Sequence, residues 1–293
     1  TSNPWQVRRD GDFLYGRGVE DNQQAIVSML LLAEEVLLHN ITPELSLGLV
    51  FMADEETGSI FGLEHLLNTA PHFFSPDDLY IVPDAGSTKG DVIEIAEKSQ
   101  LWLKVQTTGI QCHASTPQKG RNAFLAAADM ALSCHNALRA AFGDANPLFD
   151  PPHSTFVPGK HEANVPNINT VPGNDVFYVD CRLLPHVEMD NVLAKMREVA
   201  AEVAARHFVQ ITVSVVQRQE ATAIPQTGTV VTALKAAIAR IYGMEAQAVG
   251  IGGATVAAFL RQKGLPAAVW ACLENTCHQP DERSSITATI KDA

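Results

Sequence analysis

The sequence predicts an α/β protein: a catalytic domain built on a mixed, largely parallel sheet, with an α+β lid domain of ferredoxin-like topology inserted into it. Three observations predict this. Short apolar segments alternate with helix-periodic segments at both ends of the chain. The middle runs in the order β-α-β-β-α-β, the split βαβ arrangement. The 293 residues are 46% hydrophobic and 18% charged, the mix of a globular protein with room for two domains. The boundaries expected are 1–99 with 218–293 for the first domain and 100–217 for the insert.

The elements follow in order. Gly11-Asp12 marks a turn before a short strand, Phe13-Leu14-Tyr15. Asp21-Asn22 opens a helix to about Leu38, with Ile26, Met29, Leu30, Ala33 and Leu37 at helical spacing. Leu45–Met52 is apolar, short and bounded by Pro43 and Asp54, the mark of a buried strand. A helix begins at Gly62–Leu67, and a strand, Leu79–Val82, ends in Pro83-Asp84. The insert supplies a strand Leu101–Thr108, an Ala-rich helix Arg121–Phe142 and strands Ser154–Gly159 and Asp175–Leu184. A helix Glu188–His207 and a strand Val209–Val216 complete it. Thereafter come a helix Thr227–Tyr242, a strand Ala248–Ile251, a helix Thr255–Lys263 stopped by Gly264, a strand Ala267–Leu273 and the first turns of a helix, Ser284–Ala293.

The formal net charge of -12, without a Lys/Arg cluster, argues against a nucleic-acid partner. No apolar run is long enough for a membrane span, because Glu34 and Glu35 interrupt the longest, Ile26–Leu38. No signal peptide opens the chain, and Thr1-Ser2-Asn3-Pro4-Trp5 reads as the middle of a loop. Cys112, Cys134, Cys181, Cys272 and Cys277 are odd in number and lack paired metal-finger spacing, so reduced thiols and a cytoplasmic location are expected.

Four loops place chemistry at one sheet edge. Asp54-Glu55-Glu56 follows the apolar stretch Leu45–Met52, Asp21 follows a Gly16-Arg17-Gly18 turn, Asp84 ends an apolar strand, and His278 follows another. Each residue alone has a bland reading as a turn, a cap or a solvated face; their coincidence past strand ends is the signal. Converging carboxylates need a cation to stay ionised together. Oxygen ligands with few histidines suit two close divalent ions, zinc first, with cobalt or manganese as alternatives. A carboxylate left unligated can act as general base. Ser115 alone reads as a helix cap. Gly250-Ile251-Gly252-Gly253 lacks the Gly-x-Gly-x-x-Gly pattern of a dinucleotide site.

Together these residues resemble the co-catalytic zinc metallopeptidase family of aminoacylases, dipeptidases, glutamate carboxypeptidases and succinyl-diaminopimelate desuccinylases. Tyr15-Gly16-Arg17-Gly18-Val19-Glu20-Asp21 resembles the segment bearing the bridging ligand, which falls on Asp21. The resemblance implies Glu55 as general base and Glu56, Asp84 (in Val82-Pro83-Asp84-Ala85-Gly86) and His278 (in Cys277-His278-Gln279-Pro280-Asp281-Glu282) as further ligands. The family's His-Ala-Ser-x-Pro motif is similar to His113-Ala114-Ser115-Thr116-Pro117, which implies that His113 steadies the oxyanion in a partner subunit's site. Asn169, before Thr170-Val171-Pro172 and Asp180-Cys181-Arg182, and Gly252-Gly253-Ala254-Thr255 resemble substrate-binding elements, giving Asn169, Gly252, Gly253 and Thr255 as candidate contacts.

One departure stands out. The family carries a His-x-Asp motif upstream of the bridging aspartate, yet the first histidine here is His39. Either that segment lies outside this chain, the reading preferred here, or the protein has half a site. The resemblance implies a zinc-dependent hydrolase with two ions per complete subunit. It would act on an amide of an N-acyl amino acid or a dipeptide and form a homodimer through the lid. The competing expectation is a non-catalytic binding or assembly protein with an incomplete site.

Overall fold

A computed structural model describes residues 3–293; Thr1 and Ser2, part of the expected opening loop, lie outside the described residues. In chain order the elements are β1 (Arg8–Asp10), β2 (Phe13–Tyr15), α1 (Gln24–Leu38), α2 (Leu63–Thr69), β3 (Tyr80–Val82) and β4 (Val92–Glu97). There follow β5 (Ser99–Thr108), β6 (Cys112–His113), α3 (Ala123–Ala141), β7 (Thr155–His161), β8 (Thr170–Val171), β9 (Asn174–Leu183), α4 (Met189–His207) and β10 (Gln210–Gln219). The chain closes with α5 (Thr229–Tyr242), β11 (Gln247–Ile251), α6 (Ala257–Gln262), β12 (Ala267–Val269), β13 (Arg283–Ser285) and α7 (Ile286–Asp292). No helix among the described residues is long and apolar enough to cross a membrane.

Two compact units result. The first runs to Ala96 and takes up Ala223–Gly250 and Thr255–Ala293; the second is Glu97–Thr222 with Ile251–Ala254. In the second, the sheet order β10-β5-β9-β7 is antiparallel throughout, a ferredoxin-like arrangement. The reason lies in its periodicities. Alternate residues of β5, Leu101, Leu103 and Val105, are fully buried. α3 buries Ala123, Ala126, Ala127, Met130, Cys134 and Leu138, and α4 buries Val192, Met196, Val199 and Val203, each set on one helical stripe. The N-cap of α3 is Asn122, whose side chain accepts from Leu125 N at 3.2 Å, so the cap expected at Ser115 sits seven residues later.

The first unit carries a sheet in the order β11-β4-β12-β3, with β12 parallel to β3 and antiparallel to β4. Its core joins Leu63 and Leu67 of α2 to Val256, Ala257, Leu260, Leu265, Ala267 and Val269. A separate three-stranded sheet, β1-β2-β13, pairs the start of the chain with its end.

Three expectations need correction here. Leu45–Met52 forms no strand, and most of it is exposed. Its apolar side chains suit burial, but no segment among the described residues pairs with its backbone; only Met52 packs against the α2 core. The helix expected from Asp21 begins at Gln24, because Asp21 (φ −113°, ψ 91°) and Asn22 (φ −134°, ψ 36°) are non-helical. The strand expected to reach Leu273 stops at Val269, after which a lone bridge joins Ser87 to Cys272. The sequence reading also missed β4. Its Glu94 looks like a solvent-facing position, yet is buried in a two-pronged ion pair with Arg261 of α6 at 2.8 and 3.2 Å.

Candidate functional site

The first unit gathers the expected acidic residues from separate loops. Asp21 lies in the irregular turn between β2 and α1. Glu55 and Glu56 begin a single 3-10 turn, Glu55–Thr57. Its entry is set by Asp54, which takes a left-handed φ of 70°. The Asp54 carboxylate accepts from the Thr57 hydroxyl and from Phe61 N, and these bonds hold its pKa below the usual carboxylate range. Asp54 therefore shapes the loop while its two neighbours present their carboxylates. Asp84 lies two residues past the end of β3.

His278 Nε2 lies 2.9 Å from Asp21 Oδ2 and 3.1 Å from Glu56 Oε1. Asp21, Glu56 and His278 each offer one ligand atom, and these atoms all lie within 4.8 Å of one another. Asp84 stands outside this triad, and its Oδ1 accepts from Asn22 Nδ2 at 2.6 Å. Asn22 Oδ1 is buried without a hydrogen-bond partner among the described residues. The Glu55 carbonyl accepts from Gly58 N at 3.0 Å, while its carboxylate feels the charges of Asp84, Glu56, Asp21 and His278.

Those charges oppose one another. Burial, then Asp84, Glu56 and Asp21, push the Glu55 carboxyl up to about 7. Burial and then Asp84 and Glu56 raise Asp21; burial also raises Asp84, against the hydrogen bond from Asn22. His278 is raised first by its hydrogen bond to Glu56 and then by that carboxylate's charge. Two carboxylate oxygens and an imidazole nitrogen around one point, in an acidic cluster with an orphaned amide oxygen nearby, fit a divalent cation.

The other expected residues fall differently. His113 ends β6, which pairs with β8 in the second unit, with Ala114 N donating to Asn169 O at 2.8 Å. His113 and Asn169 are both exposed. Ser115 N donates to His113 Nδ1 at 3.2 Å, and Ser115 Oγ lies 2.7 Å from the same nitrogen. A backbone N–H can only donate, so Nδ1 carries the lone pair and Nε2 the proton. Gly252 and Gly253 belong to the second unit, where Arg182, paired with Asp180 at 2.8 Å, donates to Gly252 O at 3.2 Å. A Cβ at Gly252 would meet open space. Thr255 belongs to the first unit; it is buried, and its Oγ1 accepts from Ala257 N at 3.1 Å at the start of α6.

Sequence reasoning passed over Asn22, Glu20 and Glu282. Both glutamates are only 3% exposed. Both stand inside quoted motifs, one residue before Asp21 and four after His278. A carboxylate buried beside a candidate ligand was the available signal.

Comparison with known proteins agrees with this architecture. The profile of Peptidase family M20/M25/M40 matches residues 1–293. An uncharacterised metallohydrolase of Methanocaldococcus jannaschii is 39% identical over 303 residues, covering 100% of this chain and 74% of the relative. A succinyl-diaminopimelate desuccinylase of Stenotrophomonas maltophilia is 27% identical, covering 98% of this chain and 74% of its own. Among solved structures, a Staphylococcus aureus tripeptidase superposes with a TM-score of 0.80 at 19% identity, over 98% of this chain and 74% of that one, a likeness of fold.

Proposed function

We propose that this chain, which belongs to Peptidase family M20/M25/M40, cleaves the amide of an N-acyl amino acid, in the manner of a desuccinylase or aminoacylase, or of a dipeptide. The observation that carries the reading is the approach of Asp21, Glu56 and His278 to one point, with Glu55 beside them and outside the triad. A divalent cation, zinc by preference, would be held by those three residues, with Asp84 beside them for a second ion; bound there, it would supply Lewis acidity toward water and the scissile carbonyl.

The residues of the chain would do the rest. A Glu55 oxygen would take a proton from the attacking water and deliver it to the leaving amine nitrogen. The pKa near 7 supports that role, since a group there can both accept and release a proton near neutrality. Bound cation would draw it lower. His113, with its Nε2 proton facing outward, would donate to the developing oxyanion. The substrate's free carboxylate would be received near Asn169 and the Gly252-Gly253 loop. Because β7 and β10 each have one side unpaired among the described residues, pairing with a second copy through either edge would give a two-fold dimer in which His113 serves the partner's site.

The test is a hydrolysis screen on N-succinyl, N-acetyl and dipeptide substrates with zinc, cobalt or manganese, run alongside Glu55→Gln. The variant should lose two or more orders of magnitude in kcat with metal content unchanged; near-normal turnover would remove Glu55 from the mechanism. Mixing His113→Ala with Glu55→Gln subunits should restore part of the activity if His113 acts across a dimer. No recovery despite subunit exchange would leave His113 out of the partner's site.

A further inference from the structure

We infer that Glu20 and Glu282 are positioning residues that cross-link the two loops carrying Asp21 and His278. Each carboxylate grips the loop that the other comes from. Glu20 Oε1 accepts from Asn275 N at 2.7 Å, and its Oε2 accepts from Thr276 N at 2.6 Å and Thr276 Oγ1 at 2.5 Å. In return Glu282 Oε1 accepts from Glu20 N at 3.1 Å and Asp21 N at 3.2 Å, and its Oε2 from Arg17 at 2.6 Å. Two further bonds run alongside, Gly16 N donating to Glu282 O at 3.1 Å and the Arg17 guanidinium to Gln279 O at 3.2 Å.

Two physical points give this arrangement its meaning. A buried carboxylate is costly unless its oxygens are filled with donors. Glu282 has Arg17 as a counter-charge, whereas the hydrogen bonds to Glu20 come from two backbone amides and a hydroxyl. An amide side chain at position 20 would turn an N–H toward one of the backbone N–H groups that now donate to Glu20, while the Thr276 hydroxyl keeps Arg283 O, at 3.2 Å, as a second acceptor. The loop that Glu20 holds also turns through left-handed backbone. Asn275, His278 and Asp281 have φ of 59°, 58° and 60°, a region that these three residue types enter more readily than other non-glycine residues. The Glu20 clamp, bonded at 275 and 276, ties the start of that turn and so bears on the direction from which His278 reaches Asp21 and Glu56.

The inference rests on the metal-site reading above, and its test separates the two. Zinc affinity is measured by competition with a chromophoric chelator for wild type, Glu20→Gln and Glu282→Gln, each checked for native circular dichroism. Loss of a group that orients a ligand costs about 10–100-fold in affinity, and that loss is expected for each variant. The double variant should lose less than the product of the single losses, since either break frees the same pair of loops. A folded Glu20→Gln protein that binds zinc within twofold of wild type overturns the clamp. Should Glu20→Gln not fold, Thr276→Val, which removes one donor to Glu20 together with the hydroxyl's bonds to Arg283, must still weaken zinc binding several-fold.

A second readout needs no metal. Cys277 is the exposed cysteine beside His278, and partial burial, then the charges of Asp21 and Glu20, hold its thiol up, so its rate of thiol labelling, taken per thiolate from a pH series, reports the loop. Glu20→Gln should speed it several-fold in a Cys112→Ser background. If wild type binds no zinc at Asp21, Glu56 and His278, the metal reading fails. The clamp then stands or falls on the Cys277 rate, and an unchanged rate overturns it.

Discussion

Two apolar stretches of similar character meet opposite fates in this protein. β5 lies between β10 and β9, paired on both sides, and its Leu103 is 0% exposed. Leu45–Met52 is at least as apolar, yet it has no strand partner among the described residues; Leu45 is 68% and Phe51 49% exposed. Apolar side chains decide what a segment gains when covered. Whether it is covered depends on neighbours with free backbone groups, and those neighbours are distant in sequence.

Hydrogen exchange tests this contrast at its widest. Amides of β5 and β9 should open only with the second unit as a whole and be protected by roughly three or more orders of magnitude. Amides of Leu45–Phe51 should exchange close to the rate of free peptide. Comparable protection in the two stretches would break the comparison. Substitution gives the next largest difference. Leu103→Ala or Met130→Ala, both fully buried, should cost about 2–5 kcal/mol of unfolding free energy. Leu45→Ser should change it by no more than about 0.5 kcal/mol and should lower binding of a hydrophobic dye. Urea titrations followed by circular dichroism would show a reversed order if the exposed stretch were more tightly held than it looks.

The pH response separates the units more gently. Glu55, Asp21, Asp84 and His278 in the first unit all have raised pKa values. With metal removed, the folded state therefore holds more protons than the unfolded chain between about 4.5 and about 7. Stability must fall as pH rises through that window and be highest at its acid end, the reverse of an ordinary salt-bridged carboxylate. A saturating divalent cation should flatten the slope by favouring the charged carboxylates. Melting temperatures that climb from pH 5 to pH 7 in chelator would contradict this. The smallest signal lies at His113. Its ¹⁵N shifts at alkaline pH should show a protonated Nε2 and a bare Nδ1; a protonated Nδ1 would contradict the hydrogen bond from Ser115 N.

The same contrast explains what could be read from the sequence. The second unit was legible because its signals are local: alternation in β5 and β9, helical stripes in α3 and α4, with ends placed to within a few residues. In the first unit, Asp21, Glu56 and His278 could be proposed together because each sits in a recognisable short motif. β4 could not, because the partner that makes Glu94 tolerable in a core is Arg261, 167 residues away. Glu20 was hidden for the same reason, since Asn275 and Thr276 lie 255 and 256 residues further on. Leu45–Met52 misled because apolarity records an opportunity for pairing and carries no information about whether a partner is present.

The β1-β2-β13 sheet also sets a timetable. β2 pairs with β1 as soon as the hairpin at Gly11 is made, but its other edge receives Arg283–Ser285, some 270 residues later. Ribosomes add about 5–20 residues per second, so that edge waits many seconds for its partner. During that interval Asp21 is already synthesised while His278 is not. The second unit, whose sheet strands all lie between Ser99 and Gln219, can form first. A nascent chain halted near residue 260 should then resist protease across the second unit while Tyr15 and its neighbours remain open to cleavage, and zinc should be retained only once the last strand has been released.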